Sequence, residues 1–269
     1  MQAILLAAGK SSRFYPYNYF SHKSLIKILG KPIIVHTIES IKKSGIKDVI
    51  LIVSRDSDIK KILGNGKNLG VNIQYVVQKE PTGGGNGLLL AEKFIKGDFF
   101  LLNVSHVDFW EFKELMLSKK SKNNMAILLA EREENLQKYG VLKVEQDRVL
   151  DLMEKPKKGK EPSNLRLIGI YLFSKDFLKI LREIPDEHYR LEKAISNFSK
   201  NYHVKYVETK KEASSLKYPW DVLGIKNYLL KNIKKSIGKN VKIAKSSEII
   251  GDVIIEDGVE IMEGSRIKG

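Results

Sequence analysis

The chain has no cysteine among its 269 residues. That absence excludes a disulfide framework and a thiolate metal site. It also has no apolar run approaching the ~20 residues that span a bilayer, and its first residues read as a folded strand rather than a signal peptide. Acid is scarce: 32 Asp and Glu face 47 Lys and Arg, a formal net charge of +15. Such an excess suits nucleic acid, a membrane surface or small anionic substrates. The arginine and aromatic readers of a nucleic-acid module are missing, and arginine supplies only 8 of the 47 basic residues. The lysines are scattered over helical stretches, as on solvated faces. Neither a nucleic-acid nor a membrane partner is therefore expected. A composition rich in lysine and isoleucine and free of cysteine fits a cytoplasmic protein of a thermophile.

What is present is concentrated first at the N-terminus. An apolar run reaches Ala8 and then breaks into Gly9-Lys10-Ser11-Ser12-Arg13-Phe14. This reads as a buried strand emptying into a phosphate-handling loop. A glycine admits close backbone approach to a phosphate, and successive N–H groups in a tight turn form an anion nest. Ser11 and Ser12 add hydroxyls, and Arg13 adds a charged fork. The Gly9-Lys10-Ser11 tripeptide is not the end of a P-loop, because the earlier glycine of that motif falls on Ile4 inside the strand.

Further along, strands and helices alternate. Strands are expected over 48–53, 72–77 and 98–103, with helices starting near Pro32, over 56–63 and over 88–95, and Gly45 ending the first helix. Strand–loop–helix repetition predicts an α/β fold: a Rossmann-like, mixed but mostly parallel sheet with helices on both faces. Ligands of such sheets bind at the carboxyl ends of strands. The loops 9–13, 78–87 and 104–108 lie there. Strands are also expected over 125–130, 139–145, 149–154, 164–173 and 202–207, with helices over 175–182, 191–198 and 219–233.

The last part of the chain changes character. Isoleucine recurs every six residues at Ile237, Ile243, Ile249, Ile255, Ile261 and Ile267, with Val241, Val253 and Val259 in a second register position. This period marks a short left-handed parallel β-helix, about 18 residues to the coil. The expected domains are therefore 1–232 and 233–269. The second offers fewer than two coils and reads as an oligomerisation surface or a remnant. A homo-oligomer is expected.

Together these residues resemble the sugar-1-phosphate nucleotidyltransferase family, in its archaeal form with a C-terminal β-helix. The family's opening signature L-A-A-G-x-G-T-R-L-x-P stands here as Leu6-Ala7-Ala8-Gly9-Lys10-Ser11-Ser12-Arg13-Phe14-Tyr15-Pro16, with Ser11 in place of a glycine. Its P-K-x-L is His22-Lys23-Ser24-Leu25, followed by Gly30-Lys31-Pro32. The resemblance implies catalytic roles for Arg13, on the β and γ phosphates, and Lys23, on the α-phosphate. It implies nucleotide contacts from Leu6, Ala8, Gly9, Ser11, Ser12, Gln78 and Gly83. The Gln78 amide can offer a donor and an acceptor to a pyrimidine edge. Tyr139-Gly140-Val141, Glu154-Lys155-Pro156 and Gly169-Ile170-Tyr171-Leu172-Phe173 match the sugar-site segments, implying sugar-phosphate contacts from Gly140, Glu154 and Lys155. Leu167 stands where the family has an asparagine.

Tyr218-Pro219-Trp220-Asp221-Val222 matches the segment carrying a Mg²⁺ ligand, Asp221. The other metal-binding aspartate of the family falls on Ser105 within Asn103-Val104-Ser105-His106, a neutral hydroxyl that brings no charge to a hard cation. Asp108 is the nearby carboxylate that could replace it; His106 reads as a supporting or capping residue. The resemblance thus implies a nucleoside triphosphate, with UTP or dTTP as the default, a sugar 1-phosphate and Mg²⁺. Three departures, at Ser105, at Leu167 and at Gly84, which stands where the family has a threonine in its base-reading segment Q-x-x-P-x-G-T, favour the alternative: a catalytically weakened relative that binds nucleotide or sugar nucleotide as a regulatory or assembly subunit.

Overall fold

The computed structural model describes residues 1–121 and 125–269. Two compact units are present, Met1–Asp221 and Val222–Gly269.

In the first unit, the apolar N-terminal run forms β1, Gln2–Ala7. A two-residue hairpin follows, β2 (Lys27–Ile28) and β3 (Lys31–Pro32), then α1 (Ile33–Lys43). Pro32 directly precedes α1, and Gly45 at φ 84° turns the chain after it. The pattern continues as β4 (Asp48–Ser54), α2 (Ile59–Leu63), β5 (Asn72–Gln78), α3 (Gly84–Ala91), β6 (Phe99–Asn103) and α4 (Phe109–Leu117). Then come β7 (Ala126–Arg132), β8 (Gly140–Glu145), β9 (Arg148–Glu154), β10 (Leu165–Phe173), α5 (Phe177–Glu183), α6 (Arg190–Asn201) and β11 (Val204–Glu208).

Nine strands make one sheet in the order β5-β4-β1-β6-β10-β7-β11-β9-β8. The first four are parallel, and β10 inserts antiparallel between β6 and β7. From β1 the chain adds β4 and β5 on one side, then returns to lay β6 on the other. The direction of growth reverses at β1, which opens a crevice beyond its carboxyl end.

The apolar run Ala3 to Ala7 of β1 follows from cover on both faces. Ala3, Leu5 and Ala7 pack with Ile34 and Ile38 of α1, Ile59 of α2 and Phe109, Phe112 and Met116 of α4. Ile4 packs on the other side with Leu88 of α3, Phe177 and Leu181 of α5 and Leu191, Ile195 and Phe198 of α6. The expected fold class is thus present, with helices on both faces. The β2–β3 hairpin and two helices differ from the sequence reading. The helix α3 starts at Gly84, inside the glycine-rich loop, not at Leu88. The helix α4 was not read at all, because Ser105 to Asp108 reads as a polar loop and the turn pattern beyond it is short.

The second unit takes in nearly all of α7 (Asp221–Lys231), then six short strands: β12 (Ser236–Ile237), β13 (Lys242–Ile243), β14 (Glu248–Ile250), β15 (Ile254–Ile255), β16 (Glu260–Ile261) and β17 (Arg266–Lys268). They pair in parallel with a fixed 18-residue offset: Ile237 with Ile255, Ile243 with Ile261, Ile249 with Ile267. Each of three faces therefore carries two rungs, where the count from sequence had expected fewer than two coils. The core of this short left-handed β-helix is Val253, Ile255 and Ile261, with Val241, Ile249 and Ile267 partly buried against them. Among the described residues no helix is long and apolar enough to cross a membrane.

Candidate active site

A cleft of about 680 Å³ opens at the carboxyl ends of β1 and β6. Its lining includes Leu6, Ala8, Gly9, Ser11, Ser12, Arg13, Lys23, Gln78 and Gly83, every residue expected to carry catalysis or bind nucleotide. They come from the end of β1 and its loop, the short turn that carries Lys23, and the end of β5 and its loop; Ser105 and His106 of the loop after β6 join them, because β1, β5 and β6 run parallel and end on the same side.

The first loop turns sharply. Ser11, at φ 54°, lies in the left-handed region, which accounts for the glycine the family has there. Its Oγ accepts weakly from the Lys23 amide at 3.4 Å, joining the loop to the short turn that presents Lys23. His22 caps that turn. Its Nδ1 accepts from Ser24 N at 3.2 Å and lies 2.7 Å from Ser24 Oγ. Burial, reinforced by the adjacent Lys23 ammonium, pushes His22 down to about 4. It is a neutral cap at physiological pH.

Lys23 Nζ donates to Leu216 O at 2.6 Å. Burial and the Arg13 charge lower its ammonium to about 8, against an opposing pull from Asp221. Arg13 lies over the Tyr218 ring, 5.6 Å from its centroid.

In the second loop Gln78 is buried, and its Nε2 donates to Gly83 O at 3.0 Å. Gly83 sits at φ 128°, and a Cβ there would collide with His188 O. The loop is held from the far side by Asn86, which donates to Thr82 Oγ1 at 2.8 Å and accepts from Arg190 Nη1 at 2.8 Å.

The third loop carries Ser105 and His106, which line the cleft beside Asn103. Gly169, at the irregularity in β10 between Leu167 and Tyr171, lies against them: a Cβ on it would strike Asn103 Nδ2. Asp108 does not face the cleft. It is buried, its Oδ2 accepts from Ser214 N at 2.5 Å, and its Oδ1 lies 3.6 Å from His106 Nδ1. Neither of those two atoms has a hydrogen-bond partner among the described residues. Leu167 lines the cleft but brings no donor.

The sugar-side residues form a second group, outside the lining. Glu154 packs against Gly140, where a Cβ would stand 3.0 Å from Glu154 Oε2. Lys155 Nζ lies 3.7 Å from Glu154 Oε1 and donates to Tyr189 OH at 2.8 Å. Glu192 of α6 lies near both; burial, with a further push from Glu154, raises it to about 7. Asp221 is half-buried, and its Oδ2 accepts from Lys217 N at 2.6 Å and Tyr218 N at 2.8 Å.

The sequence reading missed two cations of the lining. Arg166, on β10, is paired with the buried Glu131 and stacks 4.4 Å from the Tyr139 centroid. Lys217 approaches the same ring at 3.9 Å and donates to Lys138 O. Burial, then the Arg13 charge, lowers Lys217 to about 8. Only the register of β10 and the course of the 213–217 segment reveal them, since one more lysine in this chain carries no local signal.

Five cations, Lys10, Arg13, Lys23, Arg166 and Lys217, therefore surround a cleft that no aspartate or glutamate among the described residues lines. Nor do the described residues contain a cluster of three or more His, Asp or Glu that could hold a metal ion. A protein-held Mg²⁺ takes one or two carboxylates alongside substrate phosphates. Here the position after β6 is a neutral serine, Asp108 points away, and Asp221 already accepts from two amides. What remains for a resident Mg²⁺ is one carboxylate oxygen, Asp221 Oδ1, outside the lining, and the lining itself offers none. The arrangement instead suits a polyanion with several phosphates.

The family described as nucleotidyl transferase matches residues 2–235, and the bacterial transferase hexapeptide repeat, six copies, matches 234–269. The chain is 34% identical over 269 residues to the bifunctional protein GlmU of Methanococcus maripaludis, covering 98% of this chain and 62% of that protein. It is 30% identical over 282 residues to the bifunctional sugar-1-phosphate nucleotidylyltransferase/acetyltransferase of Sulfurisphaera tokodaii, covering 99% and 65%. The chain thus spans less than two thirds of the length of these relatives. In fold it is similar to the UDP-glucose pyrophosphorylase of Acinetobacter baumanii, with a TM-score of 0.71 at 20% identity, covering 86% of this chain and 93% of that one.

Proposed function

The chain belongs to the nucleotidyl transferase family, and from that membership we propose that it joins a nucleoside triphosphate, UTP or dTTP by default, to a sugar 1-phosphate. The observation that carries this is the convergence of the β1 loop, the glycine loop after β5 and the β6 loop on one cationic cleft. Its named relatives include a sugar-1-phosphate nucleotidylyltransferase, which supports the acceptor class.

The chemistry asks for position and charge. A phosphate oxygen of the sugar 1-phosphate attacks the α-phosphorus, the bond from that phosphorus to the oxygen bridging to the β-phosphate breaks, and pyrophosphate leaves. No proton need move, because the nucleophile is already an anion. Arg13, on the β1 loop, would hold the β and γ phosphates and then the departing pyrophosphate. Lys23 would meet the α-phosphate, whose charge grows in the transition state. Gln78 and Gly83 would take the base, and Glu154 with Lys155 the sugar phosphate. Mg²⁺, where it takes part, would arrive on the triphosphate.

The second reading, a nucleotide-binding subunit with weakened catalysis, is favoured by Ser105 at the strand end where the family has a carboxylate. Pyrophosphate release separates the two. The native chain would be assayed with four nucleoside triphosphates and a panel of sugar 1-phosphates, beside Arg13→Ala and Lys23→Ala. Turnover that falls at least about a hundredfold in both variants supports the enzyme, since each removes a charge contact worth several kcal/mol in the transition state. Nucleotide binding without turnover supports the subunit reading.

A further inference from the structure

Resting on the triphosphate reading above, we infer that the cleft binds its nucleoside triphosphate as the free anion, with lysine and arginine side chains supplying the charge that a protein-held divalent ion would otherwise bring.

Two observations point the same way. One is how little this donor set leaves for a metal. Ser105, only 6% exposed, fills the place of the carboxylate on the β6 loop. Asp108 spends Oδ2 on the Ser214 amide, and Asp221 spends Oδ2 on the Lys217 and Tyr218 amides. The other is the disposition of the cations. Lys23 and Lys217 are each held by a neutral carbonyl, Leu216 O and Lys138 O, rather than by a carboxylate. A carbonyl aims an ammonium without cancelling its charge. Both lie under the influence of Arg13, offset in part by Asp221 at Lys23 and by Glu154 at Lys217. Three cations forced together beside a cleft with no acidic lining repel one another until an anion enters, so a highly charged ligand is favoured and a further cation is not.

The test is calorimetric titration of the full chain with UTP and with dTTP, in EDTA and in excess Mg²⁺. The dissociation constant in EDTA is expected to be no more than about threefold weaker than in Mg²⁺, well under the tenfold that corresponds to 1.4 kcal/mol. Lys217→Ala, checked for folding by circular dichroism, is expected to weaken binding in EDTA about tenfold. Ser105→Asp is expected to reverse the preference, binding weakly in EDTA and recovering in Mg²⁺. Native binding that falls about tenfold or more in EDTA and returns with Mg²⁺ overturns this inference and leaves the triphosphate reading standing. Unchanged EDTA binding in Lys217→Ala, or equal binding in both buffers by Ser105→Asp, overturns it too. No binding of any nucleoside triphosphate in either buffer ends the triphosphate reading and this inference with it.

Discussion

Lys23 and Lys217 are the residues where chemistry and titration meet. Burial and neighbouring positive charge hold both near pKa 8, so each is partly deprotonated in mildly alkaline buffer. A phosphate favours the ammonium form and raises the pKa. Binding of UTP at pH ~8 should therefore take up on the order of one proton, and affinity should fall as the pH rises through 8. Titration in two buffers of different ionisation heat measures the uptake; none at all would mean that neither lysine meets the phosphates. Ser11 is a cost of a different kind. A serine held at φ 54° is strained by about 1 kcal/mol or more relative to glycine. Ser11→Gly, which loses only the long bond to the Lys23 amide, is expected to gain about 0.5–1 kcal/mol in urea denaturation. The same residue shows how far local reasoning reaches. That serine stands at a glycine position of the motif was legible in the sequence; the left-handed backbone there was not.

At the scale of elements, α1 steadies the β6 loop from behind. Thr37 is fully buried, and its Oγ1 donates to Val104 O at 2.7 Å. Thr37→Val keeps the shape and removes the donor, leaving a buried carbonyl unpaired. The expected loss is about 1–3 kcal/mol in chemical denaturation, with most of it recovered in Thr37→Ser. On the opposite face, α6 carries Glu192, raised to about 7 by burial first. A carboxylate whose folded pKa lies above its unfolded value of ~4.3 makes the folded chain bind protons more tightly. Its favourable contribution is full below that unfolded value and is lost as pH rises through 7. Stability should decline between pH ~5 and ~7, and Glu192→Gln should flatten that decline and be more stable than the native chain at pH 8, by about 2 kcal/mol. Thermal unfolding across that range checks the sign. Element positions were largely legible from periodicity and from Gly45 and Pro32. The helix α4 is short, and its buried face, Phe109, Phe112 and Met116 at i, i+3 and i+7, is a helical spacing that the sequence does carry.

At the scale of the whole molecule, the two units differ in how much they bury. The sheet unit has a full apolar layer on each face, whereas the β-helix has three buried apolar side chains, Val253, Ile255 and Ile261. Native-state hydrogen exchange should therefore show the amides of β12–β17 opening at free energies several kcal/mol below those of β1, β4 and β6. Equal protection would show that the tail is stabilised by something beyond its own core. By itself the sequence determined the alternation of strands and helices, the hexad period and the three strand-end loops. Those features are written in apolar spacing and in the backbone limits of glycine and proline, which act between near neighbours. Only the tertiary structure decided which charges share the cleft. It turned Asp108 toward Ser214, brought Lys217 and Arg166 around Tyr139, and left the lining without a carboxylate. Electrostatics acts through space over a few ångströms, and those distances are fixed by strand order and register, which no local pattern records.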